Sequence, residues 1–186
     1  MPPLDDEIMS SFLTPKKVGE ICDKLLHSSD PDARMVGMHI KDSLPADYLE
    51  DAGINLPIEI AAAAAPGPKR VLDSAVRHAT KGGKTVPPKT FSDHFQNTKN
   101  WGLALLQEYF FELRKKICGK GKKAAVLGQA ANAALAALGT TVAKFLGLTS
   151  SLGMGIAVLI ITNAAWIGKI ALCKMTSPEQ LARYFG

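Results

Sequence analysis

No acidic residue occurs between Leu113 and Pro178. That absence leaves a long basic stretch with no carboxylates to neutralise it, which favours an acidic partner over a basic one. Aromatic residues are also scarce, at 6% of the chain, which disfavours a β-rich fold. Cysteine is limited to Cys22, Cys118 and Cys173, with no CxxC spacing, so a zinc or thioredoxin-type motif is excluded. The opening residues Met1 to Glu7 lack the apolar run of a signal peptide, so cytoplasmic synthesis and free thiols are expected.

What is present is divided along the chain. Residues 1–60 hold 5 basic and 12 acidic side chains, a balance of −7. Residues 61–98 carry +4 and residues 99–186 carry +8. With 186 residues in all, one domain or one domain plus a small attachment is expected.

The front reads as helices. Thr14-Pro15 and Asp30-Pro31 each place a capping side chain before a proline suited to the first helical turn. Val18, Ile21, Cys22, Leu25 and Leu26 follow the first signal at helical spacing. Met35, Val36, Ile40 and Leu44 follow the second. Pro45 starts a further short turn that Gly53 ends, and residues 4–13 form a short helix or an arm. The run DPDARMVGMHI at 30–40 resembles the opening of a helix in HEAT-type repeats. No second copy follows it, so it implies a helix start and nothing more.

The organisation expected is an acidic helical unit over 1–65, a basic helix and Pro/Gly linker over 66–98, and a basic helical region over 99–186. Within the linker, 81–98 is poor in large apolar residues. From Trp101, the residues Leu105, Leu106, Tyr109, Phe110, Leu113 and Ile117 share one helical face. Six basic residues then fall within 114–123.

The strongest apolar content lies in 124–172. Twenty uncharged residues separate Lys123 from Lys144, and 24 separate Lys144 from Lys169. One continuous helix over 124–168 would be roughly 67 Å long, against a hydrocarbon core of about 30 Å. It would also bury Lys144 at a cost of about 2.5–3.5 kcal/mol. Two helices joined near 145–152 avoid both difficulties. Gly147, Ser151 and Gly155 recur every four residues, as do Ala164 and Gly168, which favours close helix packing. A helix apolar all round can also form the buried centre of a bundle in water.

Two apolar arms, a short turn and flanking amphipathic helices resemble the hydrophobic hairpin of colicin-type pore-forming domains. The resemblance is one of pattern. It implies a mechanism class, insertion of a hairpin into a bilayer, and no family assignment.

The search for chemistry is negative. Gly82-Gly83-Lys84-Thr85 ends like a phosphate-binding loop, but His78 stands where the motif needs glycine and Pro87-Pro88 interrupt the helix that should follow. His27, His39, His78 and His94 lie at no metal-ligand spacing. No nucleophile stands beside a base. No enzyme activity, cofactor or metal is expected.

The fold expected is therefore all-α. Its function is expected to be membrane association with an inserted hairpin, as in a pore-forming or membrane-perturbing effector. The residues expected to contact lipid are Trp101, Phe110, Arg114, Lys115, Lys116, Lys120, Lys122, Lys123, Lys169 and Lys174. Those expected to pack helices are Gly147, Ser151, Gly155, Ala164 and Gly168. Anionic lipid is the expected partner, with a homo-oligomer and a protein partner for the acidic front also in view, and nucleic acid disfavoured for want of base-reading groups. The alternative is a helical interaction or oligomerisation module with the hairpin as its buried core. If the hairpin forms, Cys118 and Cys173 meet at its open end, where they can pair under oxidation.

Overall fold

A computed structural model describes residues 4–54, 70–73, 89–119, 133, 135–136 and 150–185. The fold is all-α, with no strand among the described residues. The helices are α1 (Asp6–Phe12), α2 (Pro15–Leu26), α3 (Pro31–Ser43), α4 (Ala46–Asp51), α5 (Lys89–Thr98), α6 (Trp101–Cys118), α7 (Ser150–Ile167), α8 (Lys169–Lys174) and α9 (Pro178–Phe185).

Local chemistry explains most of their starts. Asp5 Oδ1 accepts from the amides of Glu7 and Ile8 and caps α1. Thr14 Oγ1 accepts from Lys17 N, and Pro15 opens α2. Asp30 Oδ1 accepts from Asp32 N at 2.9 Å, and Pro31 opens α3. Asn100 Oδ1 accepts from Leu103 N at 3.0 Å and caps α6. Gly53, with φ 72°, follows α4 in the left-handed region that ends helices.

Two sequence expectations change here. Residues 89–98, expected within a linker, are helix α5 packed along α6. Phe91, His94, Phe95 and Thr98 recur at helical spacing, and that periodicity prevails over the loop-like composition. The turn expected near 145–152 does not include its last residues, because α7 has begun by Ser150. The second apolar arm also stops short of Leu172: Gly168 adopts φ 91° and separates α7 from α8.

The core is organised around α7. Leu152, Ile156 to Ile161, Ala164 and Ala165 are buried. Helices α1, α2, α3, α8 and α9 all pack against it. Residues with apolar atoms on every side need partners on every side, and these helices supply them. Helix α6 packs on α1, α5, α8 and α9. Val71, Leu72 and Leu135 are buried in the same core.

The fit at α7 depends on missing side chains. A Cβ on Gly155 would lie 2.6 Å from Leu25 Cδ1 and 3.2 Å from Val36 Cγ1. A Cβ on Gly37 would lie 2.9 Å from Leu25 Cβ. Leu25 of α2 thus fills space left by a glycine on α3 and another on α7. This close approach joins the three helices at one point.

Candidate functional site: the apolar helix and its ties

The distinctive feature of the molecule is the end of α7. Three polar ties hold it. Asp5 N donates to Ala165 O at 3.0 Å. Asp5 Oδ2 accepts from Lys169 N at 2.8 Å. Trp166 Nε1 donates to Ser43 O at 2.7 Å. The Lys169 ammonium adds an ion pair with Glu7.

Asp5 therefore has two functions. One carboxylate oxygen caps α1, and the other meets the first amide of α8. Gly168 makes this possible, because its positive φ turns the chain so that Lys169 N faces Asp5. The N-terminal helix is thereby attached to the point where the apolar helix ends. Asp5→Ala removes a cap worth about 1 kcal/mol and a charge-assisted bond of about 1.5–3 kcal/mol. A loss of about 2.5–4 kcal/mol is expected in urea unfolding, and Asp5→Asn loses more than half of it, because asparagine still caps but its amide nitrogen cannot accept from Lys169 N.

A second junction lies at the other end of α8. Cys118, ending α6, is joined to Cys173 of α8, with a Cα separation of 5.7 Å. Arg114 reaches the same place. Its Nη2 donates to Cys173 O at 3.1 Å, and its guanidinium lies 5.5 Å from the centre of the Phe110 ring. The two cysteines expected near the open end of the apolar segment are thus brought together. The expectation of free thiols fails for this pair and holds for Cys22. Cys22 is buried and its Sγ lies 3.4 Å from Gly37 O; burial pushes its thiol up to about 11, so it remains protonated and unreactive.

The residues expected at a lipid surface have diverse positions. Phe110 is fully buried, so in this form it offers nothing to lipid. Arg114 is half-buried and engaged with Cys173 and Phe110. Lys169 is half-buried and paired with Glu7. Lys116 and Lys174 are exposed. Trp101 and Lys115 lie on α6, at its first and fifteenth positions. Lys120, Lys122 and Lys123 lie outside the described residues.

Among the packing candidates, Gly155 and Ala164 are buried and Ser151 is half-buried. Gly168 acts through its backbone angle. Gly147 lies outside the described residues, as does most of the first apolar arm.

Asp5, Glu7 and Trp166 were not singled out by the sequence. Asp5 carries a local signal, as an aspartate before a short helical pattern, but nothing local indicates Lys169 as its second partner. No group of three metal-ligating side chains occurs among the described residues. Among the described residues no helix is long and apolar enough to cross a membrane. No family model matches the chain, and neither a curated protein nor a solved structure does.

Proposed function

We propose that the chain is a helical interaction module that keeps α7 as a permanent core and meets its partners through its charged surfaces. The observation that carries this reading is the closure around Ile156 to Ile161, each with 0–1% exposure. Five of these six side chains are large aliphatics, and burying each is worth about 1.5–3 kcal/mol. Together they match the whole stability of an ordinary domain, about 5–15 kcal/mol. Exposing them to water would therefore unfold the protein. The glycine contacts with Leu25 and Val36 support the same reading, because such a fit is lost if α7 leaves.

A second reading is favoured by a different property of the same helix. Its apolar surface runs round the whole circumference, as an inserted helix requires. In that reading the helices around α7 form a removable cover, and α7 enters a bilayer with the preceding arm, as part of a pore-forming or membrane-perturbing effector. Alone, its 18 residues extend about 27 Å, slightly less than the hydrocarbon core.

Vesicles loaded with a self-quenching dye separate the two. The module reading predicts no release above the buffer control at pH 7 or pH 5, with or without a thiol reductant. Release that rises with protein concentration under any of these conditions would replace it with the insertion reading.

A further inference from the structure

Among the described residues, a charged groove lies between α8 and α9. A groove of about 480 Å³ is lined by Ala171, Lys174, Met175, Gln180, Arg183 and Tyr184. Its volume is that of a small-molecule site. On α8, Ile170 and Lys174 share a face four residues apart. On α9, Gln180, Arg183 and Tyr184 share a face at spacings of three and four. Two short helices thus turn one cation each toward one cleft.

The charge of this cleft has one sign. Residues 169–185 contain a single carboxylate, Glu179. It is directed toward α6, where Gln107 Nε2 donates to its Oε1 at 3.4 Å. Lys174 and Arg183 make no ion pair with any described residue. Gln180 is occupied locally, accepting from Thr176 N and fixing the start of α9. Among the described residues nothing neutralises these two cations.

The apolar character of the same region is equally specific. Among the described residues, the exposed large hydrophobics are Ile170, at 75% exposure, and Tyr184, at 59%. Both belong to the helices that form the groove. An aliphatic residue and a tyrosine beside two cations match the layering of a membrane surface, with acyl chains below and charged headgroups above. A nucleic acid would engage the cations but leave Ile170 without a partner.

We infer that the α8–α9 groove is a docking site for the headgroups of acidic phospholipids. Lys174 and Arg183 hold a headgroup phosphate, while Ile170 and Tyr184 rest in the interfacial layer. The inference deepens the interaction-module reading by naming a partner. Docking of this kind leaves the core around α7 closed, so it is distinct from insertion.

The test is flotation of the intact, oxidised chain with vesicles of phosphatidylcholine containing 30% phosphatidylserine, mole fraction chosen to give about one acidic lipid in three. The wild-type chain floats with these vesicles and stays in solution with pure phosphatidylcholine. Lys174→Glu with Arg183→Glu lowers the partition coefficient at least tenfold, and Ile170→Ser with Tyr184→Ser also lowers it at least tenfold. Both pairs of residues are exposed or line an open groove, and unchanged thermal melting confirms that the variants fold. A charge-reversed chain that floats as well as the wild type overturns the groove. So does failure of the wild type to float, or complete competition by millimolar inorganic phosphate, which would indicate a small-anion site. Dye release in the same tubes would instead overturn the interaction-module reading, so the two failures are told apart.

Discussion

Phe110→Ala is expected to destabilise the protein by about 3–5 kcal/mol, the range for truncating a buried aromatic. Phe110 is fully buried in the core and belongs to α6, which packs on four other helices. Its ring also supports Arg114, whose guanidinium sits 5.5 Å away. Truncation opens a cavity and removes the surface on which the guanidinium rests, a contact worth about 0.5–2 kcal/mol. Arg114 is the side chain that reaches Cys173 O, so the junction between α6 and α8 loosens with it. A domain of ordinary stability has about 5–15 kcal/mol in total, so the variant lies near its unfolding limit at room temperature. Urea unfolding at pH 7 measures the effect. Phe110→Leu fills most of the volume and loses about half as much. A change under 1 kcal/mol for the alanine variant would mean that α6 does not contribute to the core as described.

Removal of the Cys118–Cys173 bond is the second large effect. The two residues are separated by 55 positions, and the bond closes a loop around the whole apolar segment. Restricting a loop of that length in the unfolded chain is worth about 4 kcal/mol on the entropy model. For a chain of this size the Tm is expected to fall by roughly 10 °C on reduction. Cys118→Ser with Cys173→Ser gives the same shift without reductant, and the reductant then has no further effect on it. Cys22→Ala leaves the response to reductant unchanged, because Cys22 is buried and outside the bond. Equal melting of oxidised and reduced wild-type protein would contradict the pairing. In a reducing compartment the fold would have to persist without this contribution.

The helix starts of the front were legible in the sequence because they depend on adjacent residues. Thr14-Pro15 and Asp30-Pro31 carry both the acceptor and the fixed backbone angle that open α2 and α3. The face of α6 was legible for a similar reason, since its apolar spacing persists for five turns and Leu105, Leu106, Tyr109, Phe110, Leu113 and Ile117 are all buried. The break at Gly168 was not. A glycine in an apolar run serves equally as a packing notch or as a turn, and here the choice depends on Asp5, far away in sequence. Lys169 illustrates the same limit for function. As a cation flanking an apolar run it suggests a lipid anchor, yet the fold places Glu7 beside it. The groove was half legible. Lys174 stood out as a basic flank, but Arg183 and Tyr184 acquire significance only once α9 lies beside α8.

The division of charge along the chain also takes on a structural meaning. Part of the acidic front is used internally, where Asp5 and Glu7 meet Lys169 at the end of α7. Part of the basic back is left outward, at Lys116, Lys174 and Arg183. The same net charge of +5 therefore covers both a structural attachment and an available surface.

The permanence of α7 in the core is best tested by native-state hydrogen exchange of the amides of Ile156 to Ile161, measured in buffer and again with acidic vesicles bound. These amides should exchange only through global unfolding, with the same free energy as urea unfolding gives, and vesicles should not accelerate them. Faster exchange of this segment with vesicles present, while α2 and α3 stay protected, would show that α7 leaves its place and would contradict the account.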